Sequence, residues 1–400
     1  MDRAVPFISR VRLKNYKSIA KCDVRLGPLT VLIGPNGGGK SNFLQALALL
    51  SRALNTTPFE AIDELGGLGE IARRAPEPAD SFSIDVEATV PWGAKDEPWA
   101  TVSYGFEIGA ASRRGRRSFE VLRETGELRA GEQVWKFQVH RGVVVDDLID
   151  RAVPDIEPDR LYLPAAAIHR IFGPLLAGLA GMRFYSFALD TLRELARPSE
   201  GALLDVRGEH LGDVLAALAV VEPDLKRRFD AYLNAAVPGI ASVETRPVGG
   251  YLDLVFHGTA EPGDEGIEFG PAAVSDGTIR AAAVLAALFQ LAAADGRISL
   301  VGIEEPEIAL HPAAAGVLFD ALTEASERVQ VLVTSQSPDL LDRDDLDVSD
   351  VRAVSMQDGV TVIGEVDRAS RQIVKDKLYT LGELMRTNQI TPEPATGPEA

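Results

Sequence analysis

The chain has 400 residues, 46% of them hydrophobic and 25% charged, with a net charge of −18, a globular composition with roughly two to three domains' worth of chain, or one core with a large insertion. That charge argues against a surface that is basic all over, the usual footprint of a general nucleic-acid binder. The single cysteine, Cys22, excludes disulfide frameworks and cysteine metal sites, and His140, His169, His210, His257 and His311 show no metal-ligand spacing.

The start, Met1-Asp2-Arg3-Ala4-Val5, lacks a basic segment leading into an apolar one, so no signal peptide is read there. Residues 7–33 read as a strand pair, Ile8-Ser9-Arg10-Val11-Arg12-Leu13 and then Cys22 to Ile33, around Lys14-Asn15-Tyr16-Lys17-Ser18. The apolar run Leu29 to Ile33 meets Gly34-Pro35-Asn36-Gly37-Gly38-Gly39-Lys40-Ser41, and Asn42 opens a helix reaching about Leu54. Strand, glycine loop and helix in this order, with the complete spacing GxxxxGKS, make a P-loop. Glycines let backbone N–H groups converge where they and the helix N-terminus cradle phosphate oxygens. Lys40 then reaches the β- and γ-phosphates, and the Ser41 hydroxyl completes the coordination of Mg²⁺. A nucleoside triphosphate site at Gly34, Pro35, Asn36, Gly37, Gly38, Gly39, Lys40, Ser41 and Asn42 is the expectation.

From residue 81 the period becomes two, with Phe82, Ile84, Val86, Ala88 and Val90, then Val102, Tyr104, Phe106 and Ile108, as expected of antiparallel strands with one buried face. The densest basic cluster, Ser112-Arg113-Arg114-Gly115-Arg116-Arg117, reads as a hairpin tip. Between 157 and 236 the period becomes helical: Leu211, Val214, Leu215 and Leu218 form one stripe, and Leu225, Phe229, Tyr232 and Leu233 another. Met182, Phe184, Tyr185 and Phe187 read as core. A further strand, Leu252 to Phe256, leads to the acidic loop Glu261 to Glu265.

Val274-Ser275-Asp276-Gly277-Thr278-Ile279-Arg280 opens a long alanine- and leucine-rich helix capped by Ser275, a second place where an anion could be held. Its apolar run, Ala281 to Ala294, is short for a bilayer and reads as a buried helix, so a cytoplasmic protein with no membrane partner is expected. The strand Ile298 to Ile303 ends in Glu304-Glu305-Pro306, and the strand Val329 to Val333 ends in Thr334-Ser335-Gln336-Ser337. Acids at the carboxyl end of a buried parallel strand stand where a Mg²⁺-phosphate site needs them. A hairpin around Asp358-Gly359 and one last helix over Ser370 to Met385 follow, with a loose tail at 391–400.

As a set these elements resemble the nucleotide-binding heads of ABC-type ATPases, and most closely the non-transporter branch of RecF, the SMC proteins, the OLD-family ATPases and related bacterial AAA-family ATPases. Val274 to Thr278 is similar to the signature motif, with Ser275 and Gly277 in matching places and Asp276 where the best-known version has glycine. Ile303-Glu304-Glu305-Pro306 matches the Walker B strand with its adjoining catalytic glutamate. Ala309-Leu310-His311-Pro312 falls at the D-loop, Gln336 at the switch position that usually holds histidine, and Asn15 to Ser18 at the opening segment. The likeness is specific over residues 1–54 and 270–345.

The resemblance implies an α/β P-loop NTPase with an ABC-type head and a mixed sheet core, carrying an antiparallel β and helical insertion between P-loop and signature motif. The core is expected at 1–54 and 270–365, a β lobe at 55–156, a helical lobe at 157–269 and the C-terminal helix at 366–390. ATP and Mg²⁺ are the implied ligands: Ser41 and Glu304 hold the metal, Glu305 polarises water, and Ser275 and Gly277 reach the nucleotide of a second copy in a head-to-tail homodimer. Glu304 stands where the magnesium aspartate is usual, no Q-loop glutamine is placed, and Gln336 cannot exchange a proton as histidine does; together these departures imply slow turnover, below the enzyme median of about 10 s⁻¹.

The first expectation for function is an ATP-driven dimer clamp on DNA in repair or genome maintenance, with the arginine cluster as footprint. OLD relatives carry a nuclease domain after the ATPase, and no acidic cluster building such a site follows the switch strand here. The alternative is therefore an ATP-switched scaffold or sensor controlling a separately encoded effector, such as a nuclease in phage defence.

Overall fold

The computed structural model describes residues 5–74, 76–93, 98–113, 116–147, 156–196, 198, 203–259 and 266–393. Its contacts divide the chain into two units, one of Val5–Met182, Ser349–Arg368 and the chain from Ile390, the other of Arg183–Val348 and Ala369–Gln389.

In the first unit β1 (Ile8–Tyr16) and β2 (Ile19–Arg25) form a hairpin closed by Asn15 and Lys17 at φ 56° and 48°. The strand read as Cys22 to Ile33 is in fact two. The Gly27 N–H donates to Thr30 Oγ1 at 3.0 Å in a tight turn, and Pro28, with no N–H, cannot continue a ladder. β3 (Leu29–Ile33) therefore enters a different sheet, with all of its residues buried, and α1 (Lys40–Asn55) follows the glycine loop.

After α2 (Pro58–Glu64) and α3 (Leu68–Ile71) come β4 (Ser81–Pro91), β5 (Trp99–Arg113), β6 (Arg116–Ala130), β7 (Gln133–His140) and β8 (Val143–Asp147), all antiparallel. They do not form a lobe of their own over 55–156. β4 pairs with β1, and the sheet runs β2-β1-β4-β5-β6-β7-β8. The register Val11↔Val86 and Leu13↔Ile84 puts the apolar residues of both strands on one face, so pairing buries both sets at once. That face, with Phe82, Phe106 and Tyr16 in edge-on contact, packs against α5 (Gly173–Ala180), which follows α4 (Leu163–Ala166). The basic cluster lies at the β5–β6 turn, where Arg113 pairs with Arg116. Arg114 and Gly115 lie outside the described residues, as do residues 261–265 and 394–400.

The second unit holds β9 (Arg183–Tyr185), α6 (Leu189–Arg193), α7 (Leu211–Val221), α8 (Pro223–Ala236), β10 (Ile240–Val248), β11 (Tyr251–Gly258), β12 (Glu268–Phe269), α9 (Asp276–Phe289), α10 (Leu291–Ala294), β13 (Leu300–Glu304), α11 (Ala315–Ala325) and β14 (Gln330–Ser335). The stretch 157–269 is thus helical only in part. β9 and β14 flank β13 in parallel, the arrangement that wants a strand apolar on both faces, and Leu300 to Ile303 are all buried. β10, β11 and β12 make a small antiparallel sheet. Nearly every residue of α9 is buried, and Gln290 breaks the helix, its buried amide donating to Tyr185 Oη at 2.8 Å and accepting from the Leu204 N–H at 3.2 Å. The full run Asp276–Ala294 is longer than the stretch read from sequence and is long and apolar enough to span a membrane, but 83% of its apolar window is buried inside the protein, as in a core helix.

The chain then returns to the first unit as β15 (Val351–Gln357) and β16 (Val360–Val366), with β15 parallel to β3 and a two-residue turn at Asp358 and Gly359, both at positive φ. The single last helix expected over Ser370 to Met385 is two, α12 (Arg368–Lys375) and α13 (Leu381–Arg386). Lys377 turns left-handed at φ 54°. Thr380 and Glu383 then form a capping box, Thr380 Oγ1 accepting from the Glu383 N–H at 3.1 Å and Glu383 Oε2 from the Thr380 N–H at 2.8 Å. A short β17 (Pro392–Glu393) edges β16.

Glu124 on β6 is fully buried and ties the sheet to α4, accepting from Tyr104 Oη and the Leu163 N–H, both at 2.9 Å, and from the Tyr162 N–H. Burial pushes its carboxyl up from 4.5 to about 7, against the opposing pull of those hydrogen bonds. Below pH 4.5 the group is neutral folded or unfolded. Between 4.5 and 7 only the unfolded chain ionises, so stability falls as pH rises and levels off above that window, by on the order of 3 kcal/mol. Glu124→Gln is expected to flatten this slope in denaturant midpoints measured across the window; an unchanged slope assigns the titration elsewhere.

Candidate functional site

The glycine loop is shaped by what stands behind it. Gly34 and Gly39 have φ 153° and 104°, and a β-carbon on them would lie 2.0 Å from the Val354 carbonyl oxygen and 2.1 Å from Thr361 Oγ1. Both positions therefore need glycine for conformation and for space. Thr361 on β16 is buried, donates to the Gly38 carbonyl at 2.9 Å and meets Ser18 Oγ at 2.7 Å, while Ser18 Oγ accepts from the Asn42 amide at 2.7 Å. Asn42, read from sequence as a nucleotide contact, is thus part of a brace that holds the loop to the opening hairpin. The Lys40 ammonium is buried and donates to the carbonyls of Gly34 at 2.7 Å and Pro35 at 3.1 Å. Asn36, Gly37 and Ser41 are exposed, and no side chain caps the N-terminus of α1 and no acid sits in its first turn. The arrangement fits a polyphosphate: a helix N-terminus with no side-chain cap, a buried ammonium within reach and an exposed hydroxyl.

The acid elements lie in the second unit. β13 delivers Glu304 opposite Thr334 of β14. The chain then turns sharply at Glu305, whose φ is 44°, a conformation costing a non-glycine residue about 1 kcal/mol or more. Its N–H donates to the Thr334 carbonyl at 3.0 Å and to Thr334 Oγ1 at 3.2 Å. Gln336 closes the cluster, its Nε2 donating to Glu305 Oε2 at 3.0 Å. Glu307 sits behind, 9% exposed, with Oε1 accepting from Ser335 Oγ at 2.6 Å and the Gln336 N–H at 3.3 Å. Burial, and more weakly the Glu305 charge, push its carboxyl above the usual range.

Ser275 caps α9 as expected, accepting from the Thr278 N–H at 3.1 Å. Asp276, in the place where glycine is usual, pairs with Arg193 at 2.6 Å. A β-carbon on Gly277 would stand 2.2 Å from the Ala309 carbonyl, so the start of α9 packs directly on the backbone of Ala309 and Leu310. Of the residues expected at the site, Gly34 to Asn42 belong to the first unit; Glu304, Glu305, Gln336, Ser275 and Gly277 belong to the second, and there Glu305 and Gln336 are in contact. Among the described residues no group of three or more His, Cys, Asp or Glu has the geometry of a metal cage. A magnesium ion held by one carboxylate, one hydroxyl and the nucleotide's phosphates does not require one. Sequence reasoning missed Thr361 and Glu307. Nothing in the alternating pattern of β16 marks Thr361, whereas an acid directly after Glu-Glu-Pro was a readable signal for Glu307.

Residues 7–87 match the family model described as "AAA ATPase domain", and residues 157–342 match the model "AAA domain, putative AbiEii toxin, Type IV TA system". An OLD nuclease of Thermus scotoductus is 24% identical over 94% of this chain and 67% of its own length. The DNA replication and repair protein RecF of Magnetococcus marinus is 37% identical over 62 residues, 15% of this chain and 16% of that protein. The chain therefore spans only part of each of these relatives. A solved SMC head bound to the C-winged helix domain of ScpA superposes over 90% of this chain and 97% of its own with a TM-score of 0.56 and 15% identity, which shows a common fold. In its fold, its phosphate loop and its sequence matches alike, the chain resembles the ABC-type, AAA-family ATPases of the RecF, SMC and OLD kind.

Proposed function

We propose that this chain binds ATP with Mg²⁺ and hydrolyses it, pairing head to tail with a second copy while ATP is bound and acting as a clamp on DNA in repair or genome maintenance. Lys40 and the loop amides hold the phosphates, and Glu305 orients and polarises the attacking water. Ser41 and Glu304 hold Mg²⁺, which supplies charge neutralisation at the phosphates. Ser275 and Gly277 reach the nucleotide of the partner copy. The observation that carries hydrolysis is Glu305, a carboxylate fixed at a buried strand's end by its own backbone and by the Gln336 amide. Gln336 can orient but not exchange a proton, so turnover is expected below about 10 s⁻¹. With no membrane segment invoked, the cytoplasm is the proposed location.

A second reading draws on the match to an OLD nuclease across 94% of the chain: an ATP-switched scaffold governing a separately encoded effector. ATP turnover measured alone and with single-stranded, duplex and branched DNA separates the two. Stimulation by one DNA form, lost when Arg113, Arg114, Arg116 and Arg117 are reversed to glutamate, supports the clamp. Slow turnover that no DNA alters, with ATP-dependent dimerisation, supports the switch.

Two variants test the site itself. Glu305→Gln is expected to bind ATP, to lose turnover by roughly a hundredfold or more and to accumulate as a dimer in light scattering, with Lys40→Ala as the blank that does not bind. Hydrolysis at the wild-type rate would remove Glu305 from its role. Thr361→Val takes away the hydroxyl that ties the loop to Ser18, and is expected to weaken ATP binding about five- to tenfold in titration calorimetry while leaving thermal melting nearly unchanged.

A further inference from the structure

Glu307 is a buried acid that the proposed hydrolysis does not use. Its Oε1 accepts two hydrogen bonds, from the Ser335 hydroxyl at 2.6 Å and the Gln336 N–H at 3.3 Å, while Oε2, buried, has no hydrogen-bond partner among the described residues. Ser335 Oγ in turn accepts from the Ser337 N–H at 3.0 Å, so the carboxylate fixes the backbone on both sides of Gln336. A half-satisfied buried acid is unfavourable for folding, and such groups persist where they hold something that a softer contact would not. What Glu307 holds is the segment from which the Gln336 side chain reaches Glu305 Oε2 at 3.0 Å.

We propose that Glu307 is a positioning residue for the hydrolytic step: by anchoring Ser335 and the Gln336 amide, it aims the Gln336 side chain and thereby fixes the carboxylate of Glu305. The inference rests on the ATPase reading above. The chain of contacts is Glu307 to the backbone of Gln336, Gln336 side chain to Glu305, and it closes on itself because Glu305 and Glu307 are two residues apart across Pro306. A small shift of the β14 end therefore moves the water-polarising group directly. A switch glutamine, unlike histidine, has only orientation to offer, so its geometry matters more here than chemistry of its own.

The test is steady-state ATP turnover of the full chain with a separate measurement of nucleotide affinity. Glu307→Ala is expected to lower kcat about tenfold with ATP affinity within twofold of wild type. Glu307→Gln, which keeps an acceptor oxygen, is expected to recover most of the rate. Because Glu307 acts through Gln336, the double variant Glu307→Ala, Gln336→Ala should be no slower than Gln336→Ala alone. Glu307→Asp, which keeps the charge but withdraws the acceptor by one methylene, should lose rate like the alanine variant and serves if that variant does not fold. Wild-type kcat in a folded alanine or aspartate variant overturns the inference, as do additive effects in the double variant or a loss confined to affinity. A wild type that binds ATP without hydrolysing it overturns the ATPase reading instead, and this inference falls with it.

Discussion

The backbone N–H of Glu305 donates to two acceptors on one residue, the carbonyl and the hydroxyl of Thr334. This fixes where β13 stops and how the chain leaves it, at a left-handed φ that a glutamate adopts only when its surroundings compel it. Everything at the acid end follows from that stop. Glu304 remains in register on the strand, Glu305 turns toward Gln336, and Glu307 folds back beneath Ser335. A strand one residue longer would put Glu305 on the other face, since side chains alternate along a strand.

Charge distribution bears on the choice between DNA and protein as the partner. On the polar face of the long sheet the positive residues are interleaved with acids: Arg10 pairs with Asp23 and Glu87, Arg12 with Glu87, and Arg123 with Asp85. The basic run Lys226-Arg227-Arg228 is likewise matched by Asp230, Asp224 and Glu324. The exposed pair among them, Arg227 with Asp224, contributes little to stability, and together the pairs make a mixed surface rather than a positive stripe. With a net charge of −18, the proposed DNA contact has only the arginines of the β5–β6 turn to rest on among the basic clusters of the sequence.

The sequence made the phosphate loop, the signature-like helix start and the two-acid strand end legible because each is a local pattern, a spacing of residue types along a single element. The Ser275 cap and the hairpin at Asp358-Gly359 were legible for the same reason. What misled was long-range pairing. The antiparallel strands looked like a separate insertion because alternation reports a buried face but not the neighbour, and only the register of β4 on β1 shows that they extend the opening hairpin. The last helix was read as continuous because its apolar residues keep period through the break, although Thr380 and Glu383 carry a capping box that marks a new start. Thr361 could not be found in one dimension. Its partners, Gly38 and Ser18, stand more than 320 residues away.

That last separation has a consequence for how the protein is made. The glycine loop occupies Gly34 to Ser41, yet the carbonyl that crowds Gly34, the hydroxyl that braces Gly38 and a strand that runs alongside β3 all come from Val351 to Val366. A growing chain therefore carries the motif long before it carries the scaffold that stiffens it, and the loop acquires its braced shape only once Val351 to Val366 have been made. A chain cut short before Val351 would keep every residue of the glycine loop and still lack the carbonyl and the hydroxyl that shape it.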